Sequence, residues 1–133
     1  MPLELFTNAA SPTTARATTL GAAMLAGDLT LTVASSTGFP AAVAGVSQFR
    51  VLIESEIVLV TNVAGLVWTI LRGQEQTAAV GHALSVAVSA TVTAGALANK
   101  LNADGSVLEV VKLTQVAYDA LATKVATTLY VIA

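Results

Sequence analysis

Several short stretches of the chain alternate apolar and polar residues, the pattern of strands that bury one face. The first, Leu29–Val33, puts leucine and valine on one face and two threonines on the other. Leu84–Val92 alternates in the same way. Three further stretches, separated by turn-forming residues, also predict strands: Phe49–Ile53, Leu66–Leu71 and Glu56–Asn62, the last with a continuous apolar run expected to be buried on both faces. Five short strands with turns between them predict a mainly β fold, a small antiparallel sandwich or barrel over residues 25–93.

The pattern changes at the end of this domain. Residues 93–101 favour a helix, and Thr114 is suited to begin a second one, because its hydroxyl can accept from the free amides of a first helical turn. Two strands and a short helix are expected over Val107–Val111, Thr127–Ile132 and Gln115–Ala122. We therefore predict a helix followed by a short strand–helix–strand C-terminal module over residues 94–133.

Residues 1–24 show no steady period and contain a turn-rich cluster around Pro12. We predict an N-terminal arm. Such a segment is either a frayed terminus, the more common case, or an arm that docks on a neighbour through Leu5 and Phe6.

The polar segment Glu54-Ser55-Glu56 between two β-rich runs predicts a hairpin. Its two acids, Glu54 and Glu56, are expected to be solvated at the bend, with Arg50 able to pair with one of them. A glycosidase would need two acids that face one cleft and have pKa values shifted in opposite directions. A hairpin bend explains this pair of acids better. A local ion pair between Arg72 and Glu75 is expected to contribute little.

The composition is poor in charge and rich in small apolar residues. Of 133 residues, 11% are charged and 55% hydrophobic, and the chain holds 26 Ala, 18 Val and 17 Thr. A soluble domain normally carries more surface charge. This composition fits a protein packed against copies of itself or a partner, and compositional bias from a GC-rich genome is the alternative explanation.

Composition also excludes several classes of function. A net charge of −2 without clustered cations argues against nucleic-acid binding, and the long uncharged stretches are too polar to span a membrane. With no Cys and one His, we expect no metal site, no cofactor and no enzymatic activity. His82 is expected to be a satisfied loop or barrel-rim residue rather than a general base. Trp68, the only tryptophan, is expected in the core, with an interface role as the alternative.

The strand stretches carry a further pattern. Residues 29–40 end in Gly-Phe-Pro, residues 49–61 form the predicted hairpin, and residues 68–75 read Trp-Thr-Ile-Leu-Arg-Gly-Gln-Glu, followed by Thr77 to His82. In this order they resemble a module of structural proteins of tailed bacteriophages. Gln76 stands where that family usually has Gly, and the link over residues 41–47 is longer than usual.

The C-terminal residues resemble a second module of phage virion proteins, often found near chain ends. The resemblance is carried by Leu113-Thr114-Gln115, Tyr118–Leu121 and Thr128–Ile132, while residues 124–126 replace a more polar turn. Together the two resemblances cover about three quarters of the chain. They imply a virion component made in the bacterial host cytoplasm, and they do not imply an enzyme.

Within that class, the size of the chain favours a capsid decoration or minor capsid protein that stabilises the head. We expect a homotrimer, with the major capsid protein or other virion proteins as further partners. The first alternative is a tail, baseplate or fibre-adapter protein. The second is a host- or glycan-binding module using Trp68, Glu54 and Glu56. The candidate interface residues are Leu5, Phe6, Phe39, Trp68 and Tyr130.

Overall fold

The computed structural model of the chain describes residues 2–6, 16–101, 109–124 and 128–132. Within these residues lie the following strands and helices, in chain order: β1 (Leu3–Glu4), β2 (Ala17–Thr19), β3 (Thr30–Thr32), β4 (Ser47–Ile53), β5 (Glu56–Ala64), β6 (Val67–Gln74), β7 (Ala87–Ala90), α1 (Ala94–Leu101), β8 (Glu109–Leu113), α2 (Gln115–Asp119) and β9 (Thr128–Ile132).

Seven strands form one curled sheet with the order β2-β7-β4-β5-β6-β3, and β1 pairs in parallel with the start of β4. The other pairings in this sheet are antiparallel. The two edge strands meet at one end, where the Gly21 N–H donates to the Thr32 carbonyl at 2.8 Å and the Ala34 N–H to the Thr19 carbonyl at 2.9 Å. The sheet is therefore a half-barrel, and the predicted mainly β, antiparallel architecture is confirmed.

The predicted hairpin joins β4 to β5. Ile53 pairs with Glu56, so Glu54 and Ser55 form a two-residue turn. Glu54 has a φ of 55°, in the left-handed region that is unfavourable for a residue with a Cβ.

The core lies inside the curl and is built from the inward residues of each strand. Trp68 is fully buried, with its ring centroid 5.1 Å from that of Phe39 and 5.4 Å from that of Phe49. Its indole Nε1 donates to Ser36 Oγ at 3.0 Å, so the one polar atom of the ring is satisfied. The remaining core residues are mainly aliphatic: Leu20, Met24, Leu31, Val33, Ala42, Val51, Ile53, Val58, Val60, Ile70 and Val88.

Part of the predicted N-terminal arm belongs to the sheet. The arm was expected over residues 1–24, but β1 pairs with β4, β2 pairs with β7, and Leu20 and Met24 lie in the core. Strands of two or three residues are too short to show a period, which is why the sequence pattern missed them. Residues 7–15, with the turn-rich cluster, lie outside the described residues.

The C-terminal module contains the expected strand, helix and strand. β8 and β9 pair in parallel from Glu109–Thr128 to Leu113–Ile132. Thr114 is the N-cap of α2 and accepts from the Ala117 N–H at 3.2 Å, as predicted. The rings of Tyr118 and Tyr130 meet edge to face, with centroids 5.4 Å apart. The predicted turn over residues 102–105 lies outside the described residues.

Candidate functional site

Most charged side chains of the β domain lie in two networks, whose central members are buried. The first is centred on Glu56, the first residue of β5, whose side chain is fully buried. Arg72 on β6 donates to both carboxylate oxygens, from Nε to Oε1 and from Nη2 to Oε2, each at 2.7 Å. This two-pronged geometry is the strong form of the arginine–carboxylate pair.

Three further groups lie within hydrogen-bonding distance of the Glu56 carboxylate. The Gly73 N–H reaches Oε1 at 2.9 Å, the Val80 N–H reaches Oε2 at 3.3 Å, and His82 Nε2 lies 2.8 Å from Oε2. Burial alone would raise the pKa of Glu56. The Arg72 guanidinium, the His82 ring and the two backbone donors together outweigh that effect and lower the pKa from 4.5 to about 2.

This network ties two loops to the hairpin. Arg72 also donates to the carbonyls of Leu25 and Val80, both at 2.6 Å. The backbones of His82 and Met24 pair with each other through two hydrogen bonds. The loops 21–28 and 75–83 are therefore held together next to the turn between β4 and β5.

His82 lies between two carboxylates. Its side chain is fully buried, with Nδ1 2.6 Å from Glu54 Oε2 and Nε2 2.8 Å from Glu56 Oε2. Both ring nitrogens are thus engaged, which corresponds to the satisfied histidine that we expected. Among the described residues, no group of histidine, aspartate and glutamate side chains could hold a metal ion.

Two predictions about these charges were wrong, the solvation of Glu56 and the pairing of Arg50 with a hairpin acid. Glu56 is buried, although both hairpin acids were expected to be solvated; Glu54 is 57% exposed. Arg50 pairs with neither of them, and Arg72 pairs with Glu56 instead of Glu75. The reason is that strand pairing brings charges together across the sheet, whereas the prediction considered only neighbours in sequence.

The second network joins β1 and α1 to the sheet. Arg50 Nη1 lies 2.6 Å from Oε1 of Glu4, whose side chain is fully buried on β1. The other Glu4 oxygen accepts from Gln48 Nε2 at 3.0 Å and from Asn99 Nδ2, on α1, at 2.9 Å.

Glu75 continues this network to the N-terminus of α1. Its Oε1 lies 3.1 Å from Arg50 Nε and accepts from the hydroxyl of Thr93. Its Oε2 accepts from the Gly95 N–H at 3.0 Å, while Thr93 Oγ1 accepts from the Ala96 N–H at 3.1 Å. Carboxylate and hydroxyl thus satisfy free amides of the first helical turn.

The surface shows the opposite distribution. Many large apolar side chains are exposed, among them Leu25 (72%), Leu29 (67%), Val46 (63%), Val92 (68%) and Val116 (79%). Leu25, Val80 and Leu84 stand on or next to the two loops that Arg72 and His82 hold. Sequence reasoning missed Leu25 and Val80, because an apolar residue inside a loop has no periodic pattern that indicates its exposure. Leu84 was expected to begin a strand, but that strand begins only at Ala87.

The structure does not bring the five candidate interface residues into one surface patch. Trp68 is fully buried, and Phe39 and Leu5 are partly buried against the same core. Phe6 is 43% exposed, and Tyr130 is half-buried in the C-terminal module, against Tyr118.

Comparison with known families gives one finding. Residues 108–133 match the family model of the phage tail tip domain. A search of curated proteins found no significant match to the chain. None of the helices in the described part of the chain has the length and apolar character needed to cross a membrane.

The matched residues span the β8–α2–β9 module, so a sequence family and a structural unit coincide at this end of the chain. The same residues carry the resemblance to the second module of phage virion proteins. The match therefore supports a structural component of a bacteriophage virion.

Proposed function

We propose that this chain is a structural protein of the phage tail and that its C-terminal module is the part that acts at the tail tip. The observation that carries the proposal is the match of residues 108–133 to the phage tail tip domain. The capsid decoration role, which the size of the chain favoured, has no such observation behind it. The tail alternative now fits better.

The half-barrel supports a role inside an assembly. Its charges Glu4, Glu56, Arg50 and Arg72 are buried in the two networks, whereas leucines and valines are exposed. An exposed apolar surface stabilises a chain once a neighbour covers it. We propose that the neighbours are copies of this chain and other virion proteins, and the trimer stays a prediction.

The glycan-binding alternative loses the residues that suggested it. Trp68 has no exposed ring face on which a sugar could stack. Glu56 is occupied by Arg72, and Glu54 is paired with His82. No other observation favours this function.

The test is labelling of purified particles with an antibody against the chain, read by electron microscopy. Gold at the tail tip is the expected result. Gold scattered over the head would overturn the tail proposal and return the search to the capsid lattice. Particles of a mutant phage lacking the gene for this chain serve as the control for nonspecific labelling.

A second experiment addresses the module itself. Mutant phage encoding the chain without residues 108–133 should give particles that lack the protein, while mutant phage encoding Gln76→Gly should retain it. Retention of the truncated chain at the tail would show that the half-barrel alone is the attachment site. The buried emission of Trp68 serves as the check that the truncated chain is folded.

A further inference from the structure

One edge of β4 is filled by two separate segments of the chain. The carbonyls of Gln48 and Arg50 point to the same side of β4, since the two residues are two positions apart. The first accepts from the Leu5 N–H at 2.6 Å, and the second accepts from the Thr91 N–H, just after β7, at 3.5 Å. β1 and β7 therefore lie end to end along this edge, and β1 is bound there as an added strand, in the manner of β-augmentation.

Glu4 gives this edge its selectivity for the added strand. Its carboxylate is fully buried, lies 2.6 Å from Arg50 Nη1, and accepts from the side-chain amides of Gln48 and Asn99. Leu5, the next residue, packs against the hydrophobic core. Without an acid at this position, the buried guanidinium and both amides would lose an acceptor, which is costly. The edge therefore fits an extended segment that carries an acid next to an apolar residue.

The chain between β1 and β2 is longer than the gap that it bridges. β1 ends next to the end of β7, and the Arg16 carbonyl, at the start of β2, accepts from the Ala90 N–H of β7 at 2.7 Å. Phe6 and Arg16 are therefore separated by two strand spacings, about 10 Å. Residues 7–15 between them carry no charge and no large apolar side chain, and nine residues can extend over about 30 Å. This length allows the segment 2–6 to reach the β4 edge of an adjacent copy.

We propose that the β4 edge around Gln48 and Arg50 is a receptor site for an extended acidic segment, and that its occupant in the assembly is the segment 2–6 of a second copy. Glu4 of one copy then completes the Arg50 network of the next. The proposal rests on the proposed function, in which the neighbours of this chain include copies of itself. It gives a binding site to the docking arm that the sequence analysis considered.

Exchange of the segment between copies changes few contacts. Its hydrogen bonds and ion pair are the same on its own β4 and on that of a neighbour, so the two arrangements differ mainly in the connecting residues. A short flexible connection gives a segment an effective concentration in the millimolar range, which copies held side by side in a particle also provide. Leu3 and Phe6 are 45% and 43% exposed in the single chain, and an adjacent copy can cover them.

The test makes use of a chain without cysteine. Leu3 and Ser47 are register partners on β1 and β4, at a separation that a disulfide can bridge. The full-length double variant Leu3→Cys/Ser47→Cys is purified under reducing conditions, concentrated, oxidised, and analysed by non-reducing gel electrophoresis and peptide mass mapping. We expect covalent dimers or larger oligomers whose bond joins positions 3 and 47. A bond closed only within the monomer would overturn the exchange.

A second experiment divides the two cysteines between chains. Full-length Leu3→Cys and Ser47→Cys chains are unfolded in urea, mixed, refolded together and oxidised, with the emission of Trp68 as the check on refolding. A heterodimer linked between positions 3 and 47 is expected, whereas Leu3→Cys mixed with Thr69→Cys, an exposed position on β6, should give none. Equal yields from the two mixtures would contradict the proposal.

Glu4→Gln tests whether the linked chains use the receptor site. Placed in the Leu3→Cys chain, it makes the altered segment compete with the intact segment of the Ser47→Cys chain for the same Arg50. The yield of heterodimer should fall on the order of tenfold, because the buried charge pair is lost. An unchanged yield would overturn the proposal. None of these outcomes bears on the tail location, which the labelling of particles decides separately.

Discussion

At the scale of the residue, the chain places side chains where only glycine is comfortable. Glu54, Glu75, Gln76 and Ser85 have positive φ. The carboxylates of the first two form contacts that offset this strain. Glu54 pairs with His82, and Glu75 accepts from the Gly95 N–H at the start of α1. Gln76 is exposed, and its side chain forms no hydrogen bond or ion pair with the described residues. Its positive φ therefore has no polar contact to offset it, at the position where the related phage module usually has glycine.

Gln76→Gly should raise the free energy of unfolding by about 0.5–1 kcal/mol, because glycine adopts a φ of 66° without steric cost. Urea denaturation measures the change. Gln76→Ala is the control, since alanine removes the side chain but keeps the Cβ. If Gln76→Ala stabilises as much as Gln76→Gly, the backbone explanation is incorrect.

Glu56 makes the fold sensitive to acid. Its pKa is lowered from 4.5 to about 2. The ionised carboxylate therefore contributes fully to the free energy of unfolding above pH 4.5, and this contribution is lost as the pH falls toward 2. The difference corresponds to about 3 kcal/mol. Stability measured by urea denaturation should therefore decline between pH 4.5 and 2.

Glu56→Gln should remove most of this decline and lower stability at pH 7 by about 3 kcal/mol, because it leaves the buried Arg72 unpaired. Asp119→Asn, an exposed acid in the other module, should change neither quantity. An unaltered pH profile in Glu56→Gln would show that another carboxylate controls acid unfolding.

At the scale of the element, the networks hold pieces that are too short to persist alone. β1 has two residues and α1 has eight, below the length at which a helix is stable in isolation. Both are joined to β4 through Arg50, which contacts Glu4 on β1 and Glu75, whose carboxylate accepts from the Gly95 N–H in the first turn of α1. One guanidinium thus connects three elements that are distant in sequence.

Arg50→Lys should loosen both elements while keeping the charge, because an ammonium cannot reproduce the planar fork toward two carboxylates. We expect a loss of about 1–3 kcal/mol, with faster hydrogen exchange at the α1 amides. Arg16→Lys is the matched control, since Arg16 forms no ion pair within the described residues. Unchanged exchange at α1 would show that the helix is held by other contacts.

The positions of the strands could be predicted from the sequence, but the contacts between residues on different strands could not. Alternation located β3 to β7 to within a few residues, and a hydroxyl at position 114 located the start of α2, because both signals are local. The pairing of Arg72 with Glu56, 16 positions apart, depends on the register of two strands. No local pattern contains that register.

At the scale of the whole molecule, several charged side chains are buried while several large apolar ones are exposed. Glu4, Arg50, Glu56 and Arg72 lie in the interior networks of the half-barrel, and leucine and valine side chains outside the core lie on its surface. The low content of charged residues predicted an apolar surface, but not where on the molecule it lies. The structure assigns part of it to the loops around Leu25 and Val80.

Trp68 reports on the integrity of this molecule. Because its ring is fully buried between Phe39 and Phe49, its emission should be blue-shifted and inaccessible to iodide. Urea should shift it to the red in one transition. Free N-acetyltryptophanamide is the reference for full exposure. Strong quenching in the native chain would contradict the buried position and restore Trp68 as a candidate contact residue.

The amino-acid sequence by itself determined the class of the fold, the strand interiors, the N-cap at Thr114 and the resemblance to phage virion modules. Each of these depends on residues close together along the chain, where periodicity and side-chain chemistry act directly. The tertiary structure decided that residues 17–24 complete the sheet and that Glu56 is buried on Arg72 and His82. Those outcomes depend on strand register and on the curl of the sheet, which bring residues together through space.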